Sequence, residues 1–198
     1  ISAFQMKVGF SSSVIFTGDM TLGQVRIEAG ELKMGSGEVH ISSHFVHTGG
    51  RFEQSLNGVV FWEAGAFQTI SMVKASLGGN RYDSFFYSFR IATSSSVRAS
   101  SDLVLDGSFN ISTGRFEVGS SSITLTGGLQ VGDLTSTSLN WDDSSGIYLQ
   151  SAGAVIFYST GHPYRINQAP SNSFSTLRFL GSQTYTAISN LVIGDAFI

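Results

Sequence analysis

The chain resembles itself at one recurring offset, a little under half its own length, and this restricts its possible folds more than any other feature. Gly18-Asp19-Met20-Thr21-Leu22 recurs in pattern as Ser101-Asp102-Leu103-Val104-Leu105, and again in Asn190-Leu191-Val192-Ile193. Leu103 matches Met20 and Leu105 matches Leu22; with the offset one place longer, Ile111, Gly114 and Leu125 match Ile27, Gly30 and Ile41. Phe157 matches Phe61 at a wider offset still, so an insertion is expected between Leu125 and Phe157. Leu177 matches Phe89 at a narrower one, a shortening placed around Gln168 to Asn172. Approximate copies at 10–91 and 92–179, with a third beginning at 180–198, describe a single repeating unit spanning 1–198. Matched positions are large apolar residues and glycines, so what recurs is packing and turns. Fixed-period repetition is the mark of arrays whose units bury their apolar sides against each other.

Within each copy, short triplets alternate with turns: Leu103-Val104-Leu105, Phe109-Asn110-Ile111, Phe116-Glu117-Val118 and Ile123-Thr124-Leu125. The first copy reads alike through Met20-Thr21-Leu22, Val25-Arg26-Ile27, Leu32-Lys33-Met34 and Val39-His40-Ile41. Period two sends the outer pair of each triplet inward and the middle residue out. Between triplets stand glycine-bearing turns such as Asp106-Gly107-Ser108 and Ser112-Thr113-Gly114-Arg115. From Leu103 to Ile123 the chain passes through three triplets with their turns, a length that suits one coil. The expected fold is therefore all-β, a parallel β-helix (β-solenoid), right-handed, with three short strands per coil of about 20 residues, at the short end of the range for stacked repeats. Ser71 to Asp83, with Gly78-Gly79-Asn80, and Leu134 to Gly146 break the pattern and are expected as loops.

Composition removes several classes of function. Charged residues make up 13% of the chain and the net charge is −3, so the basic face that nucleic acid requires is missing. No apolar run is long enough for a helical membrane span, and the triplets are short for a transmembrane barrel. With no cysteine there is neither a disulfide framework nor a thiolate site. The first residue is Ile1 and the last triplet pattern runs into Ile198, so a segment of a longer polypeptide with open solenoid edges is expected.

The stretch from Ser95 to Gly119, together with Phe86-Tyr87-Ser88-Phe89-Arg90-Ile91, resembles the degenerate repeats of large bacterial secreted β-solenoid proteins. These are the autotransporter-passenger-like and filamentous-haemagglutinin-like adhesins. The resemblance implies an extracellular or cell-surface scaffold and supplies no catalytic residues. The function expected is structural, a shaft or filament subunit that self-associates through open solenoid ends. A carbohydrate-binding or adhesin module recognising surface glycans is the alternative, and a polysaccharide-degrading β-helix ranks third.

Candidate sites are few. His40, His44 and His47 stand close together with Glu38, but only His40, His44 and Glu38 share strand parity, so exposed positions rather than a metal centre are expected. Trp141-Asp142-Asp143-Ser144-Ser145-Gly146 reads as a solvated turn, because adjacent carboxylates diverge where Ca²⁺ needs converging oxygens. Asp102, Asp106, Glu117, Asp142 and Asp143 are the carboxylates from which a glycosidase pair would be drawn. Asp102 and Asp106 sit at turn positions, and no glycine-flanked nucleophile motif is present, so no catalytic residue and no cofactor is assigned. Of the 16 phenylalanines, Phe85, Phe86, Phe89, Phe109, Phe116, Phe157, Phe174 and Phe179 mostly fall at inward or repeat-matched positions and are expected to stack in the core. Trp62, Trp141 and Tyr148 are the rings available for a sugar platform, with packing the competing role.

Overall fold

The computed structural model describes residues 5–35, 37–54, 58–61, 67–73, 77–78, 81–126, 139–159 and 163–198. Among these there is no helix, and the strands are mostly short. Gly, Ser and Thr between apolar triplets disfavour helix and supply turn chemistry, while β-branched and aromatic residues fill the pleated positions. All strand pairs among the described residues are parallel except the hairpin Leu77–Gly78 with Arg81–Tyr82, which falls in the stretch expected to be a loop.

Strands adjacent in a sheet are far apart in sequence. Met20–Leu22 pairs with Val39–Ile41, which pairs with Gly58–Phe61, which pairs with Ser88–Ala99. A second row runs from Gln5–Val8 through Gln24–Ile27, Phe45–His47 and Gln68–Met72 to the later half of Ser88–Ala99. The two rows therefore merge into one large sheet, which continues through Phe109–Gly119. Ser13–Phe16, Glu31–Met34, Arg51–Gln54 and Ser84–Phe85 form a separate four-stranded sheet. A five-stranded sheet takes Leu103–Leu105, Ile123–Leu125, Val155–Ser159, Phe174–Gly181 and Ile193–Phe197, and the bridge from Phe86 to Leu105 lies beside it.

Spacing along these ladders is regular. Leu105 faces Leu125 and Phe89 faces Phe109, the same step along the chain in both cases. The next step, from Leu125 to Phe157, is longer, and the excess equals the insertion implied by matching Phe157 with Phe61 and Leu125 with Ile41. Most of that insertion lies outside the described residues.

Parallel register stacks like on like. Leu103, Ile123, Val155 and Leu177 occupy one ladder position, and Met6, Val25, Phe45, Ile70 and Ala99 another; all are buried. Aromatic rings continue the contact through the interior from Phe45 to Phe86, Phe89, Phe109, Trp141 and Phe157, and on to the partly buried Phe179. The centroid separation is as small as 4.2 Å between Phe109 and Trp141. Such pairs add to the hydrophobic gain of burying each ring.

Polar residues close the strand ends in a recurring way. Just past a strand, Ser42, Thr48, Ser100 and Thr126 each give a backbone N–H and a side-chain hydroxyl to the carbonyl of Leu22, Ile27, Ile70 and Leu105 respectively, on the neighbouring strand. Asp19 accepts the backbone N–H of Glu38, and Asp102 that of Ser122, both at 2.8 Å. The Ser and Thr thus tie one strand's exit to the exit of its neighbour in the ladder, and Asp19 and Asp102 tie entry to entry.

Three expectations need correction, the first being the loop at Leu134 to Gly146, whose described part contains the strand Leu139–Asp142. The windows equated by the long offset are not equivalent in space: Met20–Leu22 belongs to the large sheet and Leu103–Leu105 to the five-stranded one. Followed strand by strand, the ladder position of Met20 leads to Phe109. The strands compared share apolar outer positions, so an alignment that slips by one strand still matches. The turn expected at Ser112 to Arg115 instead lies inside the continuous strand Phe109–Gly119. It appears there as a bend, with exposed Thr113 and Arg115, Gly114 at φ 80°, and a register slip against Ser88–Ala99.

One glycine pair fixes a corner. Gly30 and Gly50 have φ of 77° and 79°, and a Cβ on Gly50 would lie 2.4 Å from the Gly30 carbonyl oxygen and 2.7 Å from the Ala29 carbonyl carbon. The left-handed backbone disfavours any L side chain, and the close partner is backbone that cannot rotate away. Gly50→Ala is expected to lower stability by about 2 kcal/mol, seen as an earlier urea midpoint at unchanged m-value. An unmoved midpoint would show that the corner relaxes freely.

Candidate functional site

The aromatic and acidic residues of 141–148 gather in one place, but inside the fold. Trp141 is on the strand Leu139–Asp142 and Tyr148 on Ile147–Gln150; both strands pair with Phe109–Gly119, which brings Trp141 beside Phe109 and Tyr148 beside Phe116. Their rings meet edge to face at 5.1 Å, and neither is exposed. Parallel pairing turns both rings toward the core, where Phe174 packs against them, so neither presents a face to solvent. Trp62 lies outside the described residues.

Asp142 and Asp143 diverge, Asp142 ending its strand and Asp143 beginning the turn. Asp142 accepts from the Ser144 hydroxyl at 2.6 Å and the Asn167 amide at 3.3 Å. Asp143 is buried instead of solvated, which corrects the expected open turn. Its Oδ1 accepts the Ala169 N–H at 3.1 Å, and its backbone carbonyl accepts the Asn172 amide. Burial pushes its carboxyl up to about 6, against the opposing pull of the Ala169 N–H, the Trp141 indole and the Asn172 side chain. The neighbouring charge of Asp142 raises it further.

The remaining carboxylates are used to hold backbone, hydroxyl or arginine. Asp102 bonds Ser122, buried Asp106 accepts the Thr126 hydroxyl, and Glu117 pairs with Arg98 at 2.6 Å and Arg115 at 2.8 Å. Arg115 and Glu117, with Leu149, Gln150, Ser171 and Ser173, border an open groove of about 370 Å³. The groove presents one carboxylate already paired with two guanidinium groups, an arrangement without the two facing acids that glycoside hydrolysis uses.

The histidines separate. His40 stands 3.7 Å from Glu38 at the surface, whereas His44 Nδ1 accepts the Thr69 N–H at 3.1 Å. His47 is buried, which corrects its expected exposed position; it occupies the ladder between Ile27 and Met72 and has its Nε2 at 3.2 Å from the Gly50 carbonyl. Burial holds its pKa down, so the ring is neutral and its Nε2–H donates to Gly50. Among the described residues, no three His, Cys, Asp or Glu side chains come together as a metal site would need.

Sequence reasoning missed the buried amides. Gln54 Oε1 accepts the Tyr87 N–H, Gln68 Nε2 donates to the Ile41 and Ser43 carbonyls, and Gln168 bridges both backbone groups of Val192. The only sequence signal is an amide where the pattern asks for an apolar residue, as at Gln68, two before Ile70. Comparison of the chain with protein-family models, curated proteins and solved structures finds no match.

Proposed function

We propose that this chain is a structural β-solenoid: right-handed windings of three short strands, forming a shaft segment that joins further copies end to end. The observation that carries this reading is the interior, a ladder of apolar residues and touching rings that runs from Phe45 to Phe157 and Phe179. A ladder built in this way gains stability with each added rung, because each strand is both roof and floor. Asp19, Asp102, Asp106 and Asp143 are spent on holding the ends of neighbouring strands together, which suits a load-carrying role without catalysis. A place outside the cell or on its surface fits a cysteine-free chain of low charge.

Gln5–Val8 and Ser13–Phe16 at one end of their rows, and Tyr185–Ala187 and Ile193–Phe197 at the other, each have a strand neighbour on one side only among the described residues. Such edges template further parallel pairing, and head-to-tail contacts that do not close generate fibres. Sedimentation velocity of the purified chain is expected to show mass rising with concentration, and negative-stain microscopy to show rods whose width is that of one molecule. A chain that stays monomeric at millimolar concentration, with no rods, would remove the assembly part of the reading.

A further inference from the structure

The second row of the large sheet ends early. Among the described residues its last strand, Ile147–Gln150, pairs only with Phe109–Gly119. The other row goes on to Tyr164–Asn167 and Tyr185–Ala187, and the five-stranded sheet to Phe174–Gly181 and Ile193–Phe197. Between Tyr164–Asn167 and Phe174–Gly181, residues 168–173 contain no strand, and residues 188–192, the next link between the same two sheets, contain none either. Gln168 joins the two links, bonding both backbone groups of Val192 and giving its own N–H to the Ser189 hydroxyl. The shortening read from the sequence around Gln168 to Asn172 is therefore a strand left out of one row. A step results on the outer surface, and the open groove of about 370 Å³ lies at it, bordered by Arg115, Glu117 and Leu149 of the row and by Ser171 and Ser173 of the strandless link.

We propose that this groove binds the carboxylate of an acidic sugar, a uronate or a sialate, in a saccharide lying along the step. Arg115 and Glu117 are the charged residues that border it. Glu117 is held by Arg98 at 2.6 Å and Arg115 at 2.8 Å, so the three keep one positive charge in excess. The same grouping stands further along the row, where Glu28 holds Lys7 at 2.8 Å and Arg26 at 2.6 Å. These six charges leave an excess of positive charge on one row of a chain whose net charge is −3. Arg115 is engaged through Nε; among the described residues its terminal nitrogens, and the hydroxyls of Ser151, Ser171 and Ser173, hydrogen-bond no protein group. A carboxylate accepts the paired N–H groups of a guanidinium, and sugar hydroxyls both donate to and accept from serine. Exposed Leu149 offers apolar surface to the C–H face of the ring. An extended peptide is the competing occupant, but the strand edge is closed to it. Asn172 donates its amide to the Gly146 carbonyl, the Ser175 N–H goes to the Gln150 side chain, and Tyr148 between them is fully buried against Phe174. Backbone pairing, which draws peptides to sheet edges, finds no opening there. The proposal is independent of end-to-end assembly, since no residue bordering the groove belongs to the edge strands Gln5–Val8, Ser13–Phe16, Tyr185–Ala187 or Ile193–Phe197.

The test starts from an array of immobilised tetrasaccharides, some bearing uronate, some sialate and the rest neutral, probed with the unaltered chain. Acidic members are expected to retain it, and which of the two acids does so identifies the sugar. Retention by neutral members alone, or by none, would overturn the proposal. The best-retained tetrasaccharide is then titrated against the chain in solution and followed by amide NMR, a reading that depends on no variant folding. The amides of Leu149, Gln150, Ser171 and Ser173 are expected to shift together; shifts confined to another face would overturn it. The methyl ester of the same tetrasaccharide, and the variant Arg115→Gln with the acid form, are each expected to bind about tenfold more weakly or worse, the loss of one charge-assisted contact. Arg178→Gln, which removes an exposed arginine from the five-stranded sheet, is expected to bind as the unaltered chain does. Equal binding of acid and ester, or of Arg115→Gln and the unaltered chain, would count against the proposed contact and overturn it. Acetate that displaces the tetrasaccharide at the same concentration would show that no sugar is read, with the same result.

Discussion

Phe109→Ala is expected to destabilise the fold by about 3–5 kcal/mol, read as a lower urea midpoint and a lower melting temperature. Phe109 is fully buried and touches Phe89 at 5.8 Å, Phe116 at 5.5 Å and Trp141 at 4.2 Å. Removing it takes away the direct link between the Phe89 and Trp141 rings and leaves a cavity among Phe89, Phe116, Trp141 and Tyr148. The strands above and below are pinned at fixed sheet spacing, so they cannot close the gap as loosely packed helices do. Phe10 is the control, being 90% exposed, and Phe10→Ala is expected to move stability by no more than about 0.5 kcal/mol. A Phe109→Ala variant no less stable than Phe10→Ala would mean that the ladder carries no cooperative load.

That contrast marks what the sequence makes legible and what it hides. Met20–Leu22, Val39–Ile41, Leu103–Leu105 and Ile123–Leu125 are strands with the bounds their triplets predict, because period-two alternation is written in the residues themselves. The insertion before Phe157 is legible for a similar reason, since Leu125 and Phe157 both keep their apolar character across it. Sheet membership is not legible. Placing Leu103 requires counting strands from Met20, and the segments between Gln54 and Ser84 are of irregular length. A local pattern common to all strands gives that count no anchor.

The acidic and aromatic residues of 141–148 fail to read for a different reason. Trp141, Asp143 and Tyr148 carry groups that want water, and composition alone assigns such groups to a surface or a site. Trp141 and Tyr148 are inward because each pairs with an inward Phe of the strand Phe109–Gly119. Asp143 follows because the chain turns there and Asn172 and Ala169 close over it. Nonlocal pairing decides burial in each case, and nothing within that short stretch encodes it.

Asp143 also gives a pH dependence whose sign can be worked out. In the unfolded chain its carboxyl titrates near 3.8, and burial raises it to about 6 in the fold. Between these values the folded state binds the extra proton, so this group's contribution to stability falls as pH rises through the window and is level above it. A difference of about two pKa units corresponds to about 3 kcal/mol at most. His47 works the other way: burial lowers its pKa, so folding disfavours its proton and stability falls as pH drops below the ordinary histidine range. The two contributions have opposite sign, and the total profile of the chain sums them without isolating either group. Asp143→Asn does, because its side-chain oxygen still accepts the Ala169 N–H while no charge is buried. The stability of Asp143→Asn minus that of the unaltered chain is expected to rise by up to about 3 kcal/mol between pH 3.5 and 7.5, with most of the change between pH 4 and 6, measured by urea denaturation at each pH. Two curves that run parallel across that range would show that the carboxylate is hydrated well enough to stay charged in the folded protein.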